Sequence, residues 1–82
     1  MKRLIDIAKQ DLAQRLELSL VEIDVLRIEK AEWPDSSLGC AEKNLTRLFV
    51  PIPGYRIIVT AKGYEYVYHT NKESGVLYCP KG

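Results

Sequence analysis

A few side chains in this sequence are of types that do chemistry. Asp35 sits in a Trp33-Pro34-Asp35 triplet, Cys40 follows five residues later after Ser36, Ser37 and Gly39, and the lone histidine is His69. An aspartate on a proline-stiffened turn can serve as a general acid. A cysteine can serve as a thiolate nucleophile where its surroundings lower its pKa. Acting together on a phosphate ester, the two would also need an arginine closing a backbone arch of roughly five residues around the phosphate. Here six residues separate Cys40 from Arg47, and no histidine precedes the cysteine. The simpler reading is an Asx turn, in which the Asp35 carboxylate accepts from the amides of Ser36 and Ser37. Asp35, Ser36, Ser37 and His69 are the candidate binding residues, and none is assigned a catalytic role. An enzyme using Asp35, Cys40 and His69 stands as the alternative.

Metal chemistry finds little support. Cys40, Cys79 and His69 are the only soft or imidazole ligands, and they lack the short Cys-x2-Cys or His-x3-His spacing of structural zinc. No metal and no cofactor is expected. His69 is expected on the outer face of a sheet beside Arg56, as a satisfied surface histidine.

A third reading is DNA binding. Residues 11–26 carry the helix-turn-helix pattern at Leu12, Ala13, Leu16, Leu18, Ser19, Ile23 and Leu26. Such a turn favours glycine where Glu17 stands, since that residue turns left-handed. The would-be recognition helix would also present Glu22 and Asp24 to phosphates that select Lys and Arg. With a net charge of +1 over 82 residues, nothing in the electrostatics calls for nucleic acid. The five tyrosines could stack bases or sugars, but three of them alternate on a face that a helix should cover. They are read as core aromatics with rim hydroxyls.

These residues must be positioned by a single small domain, residues 1–82, with 46% hydrophobic and 28% charged residues. No apolar run is long enough to span a membrane. Asp6, Lys9 and Asp11 interrupt any signal-peptide core. The chain is expected in the cytoplasm if Met1 is the native start and exported if a leader once preceded it. Met1, Leu4, Ile5, Ala8, Leu12 and Leu16 recur every three or four residues, which predicts an amphipathic helix ending near Leu18. In residues 20–30, Val21, Ile23 and Val25 alternate with acids and predict a strand, although Ser19 and Glu22 would also suit a capping box. Leu26 and Ile28 fall out of phase, so a bulge is expected there. Tyr55, Ile57, Val59 and Ala61 alternate on one strand and Tyr64, Tyr66 and Tyr68 on the next. Lys62-Gly63 between them suits a two-residue hairpin turn, with Ala61 opposite Tyr64 and Ile57 opposite Tyr68. Residues 71–75 form a further turn, and Val76 to Cys79 a short last strand. The predicted fold is α+β, one N-terminal amphipathic helix packed on a four-stranded antiparallel sheet of unassigned order.

The order of motifs resembles a small family of uncharacterised bacterial and archaeal proteins. The shared positions are Asp11-Leu12-Ala13, Arg15-Leu16, Trp33 through Cys40, Pro53-Gly54-Tyr55, Ile57, Tyr66, Tyr68-His69 and Cys79. In that family the Gly-Cys step continues into Pro-x-Pro-Gly, whereas Ala41-Glu42-Lys43 follows here. Many similar chains carry export signals. The resemblance implies the architecture and no particular activity. It also implies a structural role for the loop: Cys40 cross-linked to Cys79, Trp33 anchoring the loop on the sheet, and Pro34 and Gly39 shaping it. The role expected of the protein is a non-enzymatic binding or interaction module, with the segment 34–53 as contact surface. A protease-inhibitor-like mode is included, since a constrained exposed loop is what such inhibitors present. A protein is the partner expected, with neither nucleic acid nor membrane involved, and the chain is expected to be a monomer or weak dimer.

Overall fold

The computed structural model describes residues 2–33, 38 and 51–79. Helix α1 (Lys2–Leu16) is followed by one 3-10 turn (Leu20–Glu22). Four strands come next: β1 (Ile23–Trp33), β2 (Ile52–Ala61), β3 (Tyr64–Asn71) and β4 (Val76–Tyr78). The strands form one antiparallel sheet in the order β1-β2-β3-β4, and α1 packs on one face of it. The fold is therefore α+β, as predicted. No helix among the described residues is long and apolar enough to cross a membrane.

The helix stops at Leu16, two residues before the predicted end. Glu17 adopts φ 55°, and the Leu18 amide reaches back 2.9 Å to the Ala13 carbonyl, closing the last turn through a left-handed residue. The left-handed conformation at Glu17 is the one a helix-turn-helix would use, but no second helix follows. The Ser19 amide donates to the Glu22 carboxylate at 2.9 Å, which holds a single 3-10 turn. The β-branched alternation then takes over at Ile23. Residues 20–30 thus divide between the two readings: capping chemistry shapes the first turn and strand propensity the rest.

The expected bulge lies between Val25 and Arg27, where the register with β2 shifts. It has a clear consequence. Val25 pairs with Val59 and Ile28 with Ile57, so both face the helix although two residues stand between them, a spacing that would put them on opposite faces of a regular strand. Across the β2–β3 hairpin the register is Ala61 to Tyr64, Val59 to Tyr66 and Ile57 to Tyr68, as the alternation predicted. Lys62 (φ 55°) and Gly63 (φ 82°) are both left-handed, which suits the twist of a two-residue hairpin. Lys62 also meets Glu22 at 3.1 Å, tying the hairpin tip to the 3-10 turn.

The main core lies between helix and sheet. Leu4, Ala8 and Leu12, spaced by four on one stripe of α1, are buried on Ile23, Ile57, Val59, Ala61 and Tyr68. Tyr55, Tyr66 and Tyr78 pack at its margin, while Tyr64 beside the hairpin turn is 68% exposed. The other sheet face is partly covered. Ile58, His69 and Cys79 are buried there, and so is Leu38 from the connection between β1 and β2. Of the candidate binding residues, His69 lies on this face.

Candidate functional site

Pairing places Trp33, Glu29, Gly54, Arg56 and His69 on the face away from the helix. Ala31 lies opposite Gly54 and Gly54 opposite Asn71, while Glu29 lies opposite Arg56 and Arg56 opposite His69. Trp33 pairs with Ile52 and His69 with Arg56, so their side chains meet diagonally across β2, over the position of Gly54. Their rings stack at 4.0 Å between centroids, with 15° between planes. The indole Nε1–H donates 2.8 Å to the Thr70 carbonyl, fixing the ring's direction as well as its position.

Gly54 shows how tightly these strands approach. A Cβ added there would lie 1.7 Å from that same Thr70 oxygen, so the acceptor occupies the space a side chain would need. Glycine at this point is a packing requirement rather than a turn signal.

His69 is 4% exposed, not the surface histidine the alternation suggested. A strand pattern tells which face a residue occupies. It does not tell what a distant segment lays over that face. The Nδ1 of His69 is 2.8 Å from the Leu38 carbonyl. A carbonyl only accepts, so Nδ1 carries the proton in the neutral ring. Burial holds the His69 pKa below its ordinary value; the hydrogen bond to Leu38 opposes this and the Arg56 charge adds to it. A neutral imidazole pinned between an indole and a backbone carbonyl is a structural group. Nearby, Arg56 meets Glu29 at 3.3 Å.

Cys79 is disulfide-bonded, so its thiol is unavailable as a nucleophile or a metal ligand. The chain's other cysteine is Cys40. Cys40 lies outside the described residues, as do Pro34, Asp35, Ser36, Ser37 and Gly39. The structure thus brings together Trp33, His69 and Cys79 on one face. Among the described residues no three His, Cys, Asp or Glu side chains converge as a metal site.

A second polar cluster escaped the sequence reading. On the helix side, Asp11 Oδ2 accepts from Arg15 Nε at 2.6 Å and from the Tyr68 hydroxyl at 2.7 Å. The Arg15 guanidinium lies 4.7 Å from the Tyr78 ring centroid. Tyr78 in turn meets Tyr68 at 5.4 Å. Burial pushes the Asp11 carboxyl up, but the hydrogen bonds from Arg15 and Tyr68 and the Arg15 charge outweigh it, leaving the pKa below its ordinary value. Burial and the Asp11 hydrogen bond raise the Tyr68 phenol well above its usual range. The only signal for this cluster in the sequence is the i, i+4 spacing of Asp11 and Arg15. Its tyrosine partner is 57 residues away along the chain.

The fold and this site define a class: a small α+β scaffold whose sheet is closed by a helix on one side and met on the other by Leu38 from the connection between β1 and β2. The chain belongs to the family described as a domain of unknown function (DUF8738), whose model matches residues 5–79. No curated protein and no solved structure matches the chain.

Proposed function

We propose that this protein is a non-enzymatic binding module that presents the segment 34–53 to a protein partner in the manner of a protease inhibitor. Asp35, Ser36 and Ser37 are the contacts proposed within that segment. One observation carries the reading. His69, the chain's single imidazole, stacks on Trp33 and donates to Leu38, so the residue best suited to proton transfer near neutral pH is engaged in fastening the β1–β2 connection to the sheet. The disulfide at Cys79 supports it too, since it adds a covalent anchor on the same face. A segment fastened at its base to a rigid sheet has the pre-organisation that recognition loops use.

The test is an inhibition panel of serine and cysteine proteases, run with the wild type and with an Asp35→Ala, Ser36→Ala, Ser37→Ala variant. Saturable inhibition of at least one protease is expected, weakened about tenfold or more in the variant while its melting temperature stays unchanged. Turnover of an ester or phosphate substrate that disappears with Asp35→Asn would replace this reading with an enzymatic one.

A further inference from the structure

The two edges of the sheet differ greatly. The β4 edge is three residues long, whereas β1 runs for 11 residues from Ile23 to Trp33. A strand of that length at an edge carries a row of outward N–H and C=O groups that sheet proteins normally shorten, bend or cover. The β1 edge is bent only at its start, by the bulge before Arg27. Two large apolar side chains sit where the regular stretch begins: Leu26 is 50% exposed and Ile28 39%.

We propose that β1 pairs antiparallel with β1 of a second copy, centred on Ile28, joining two sheets into one of eight strands. The register follows from symmetry. A two-fold axis relating antiparallel edge strands stands perpendicular to the sheet and keeps its faces, so a residue must lie opposite its own copy at the centre. Centring on Arg27, Glu29 or Lys30 sets like charges against each other. Centring on Ile28 sets Ile28 against Ile28 on the helix side and Arg27 against the second copy's Glu29, twice, on the other. Leu26 then lies opposite Lys30, whose aliphatic stem can cover it. Ala31 is another centre that pairs opposite charges, Lys30 with Glu32, but it takes Leu26 and Ile28 out of the central pairs. In this chain Glu29 meets Arg27 at 3.4 Å and Arg56 at 3.3 Å, and the Arg27 and Glu29 side chains are still 56% and 42% exposed, so a partner can reach both. The bulge ends the ladder before Asp24 would meet Glu32.

The charge pattern supplies its own test. Arg27→Glu places two acids at positions 27 and 29, and Glu29→Arg places two arginines there. Sedimentation velocity over a concentration series is expected to show wild-type dimer and two monomeric variants. Mixing the variants is expected to restore a dimer, because each Glu then faces an Arg from the other chain. Circular dichroism of each variant establishes that it is folded before mixing. A wild type of monomer mass throughout the series, or a mixture of folded variants that stays monomeric, overturns the proposal. A wild-type dimer that both single reversals leave intact means a different interface and overturns it equally.

Discussion

Trp33 and His69 belong to strands that are not neighbours, β1 and β3, yet their rings stack at 4.0 Å because the intervening strand offers Gly54 between them. The stack turns the end of β1 into an anchor. It places a large aromatic face over a buried imidazole and directs the indole N–H to Thr70.

That relationship sets the cost of changing Trp33. The side chain is half-buried, so Trp33→Ala should cost less than emptying a full core site, about 2–4 kcal/mol. Trp33→Phe retains most of the stacking and loses the Thr70 hydrogen bond, for about 1 kcal/mol. Urea or guanidinium midpoints with unchanged m-values measure both. Equal losses for the two variants would mean the hydrogen bond outweighs the stack.

His69 makes stability depend on pH. Its folded pKa lies below the ordinary 6.5, so on acidification the unfolded chain takes up the proton first. The full contribution is present above about pH 6.5, and stability should fall as pH drops from there towards the folded pKa. His69→Gln is expected to be less stable at neutral pH and to show a flatter profile from about pH 7.5 to about pH 5.5. Thermal melts across that window are the measurement.

Asp11 and Tyr68 should behave as a coupled pair. Tyr68→Phe leaves one hydrogen bond to a carboxylate unmade, for about 1.5–3 kcal/mol. Asp11→Ala should cost a similar amount, and the double variant less than the sum. The Asp11 contribution is present above its ordinary pKa of 3.8 and is lost as pH falls below that value towards the lower folded pKa. Arg15→Ala should matter less, about 0.5–1 kcal/mol, because the Arg15–Asp11 pair is half-exposed.

Gly54→Ala is expected to be among the most damaging single changes in the sheet. Its Cβ would meet backbone oxygen, which cannot swing aside as a side chain can. A loss of about 3 kcal/mol or more is expected, beyond ordinary overpacking. A melting temperature within a few degrees of wild type would show that β2 and β3 can part at this point.

The disulfide at Cys79 should be a large share of the stability of so short a chain. A cross-link between Cys79 and the one other cysteine, Cys40, closes a loop worth roughly 4 kcal/mol in the chain-entropy model. Reductant is expected to lower the melting temperature of the wild type and leave Cys79→Ser unaffected.

Local patterning determined most of the frame. The stripe at Leu4, Ala8 and Leu12 encodes the helix, and the alternations around Lys62-Gly63 encode the hairpin with its register, because helix and strand periods are properties of neighbouring residues. Even the bulge near Leu26 is legible as a break in phase. Tertiary structure decided what no local pattern carries. His69 alternates outward and reads as exposed, but a carbonyl 31 residues earlier in the chain comes down on it. Tyr68 reads as one core aromatic among several until the fold brings Asp11 to its hydroxyl. Gly54 enters the sequence only as part of the Pro53-Gly54-Tyr55 motif, and the fold shows that the Thr70 carbonyl takes the space of its missing side chain. In each case the deciding contact joins residues far apart in sequence, and only chain closure in three dimensions specifies which partners meet.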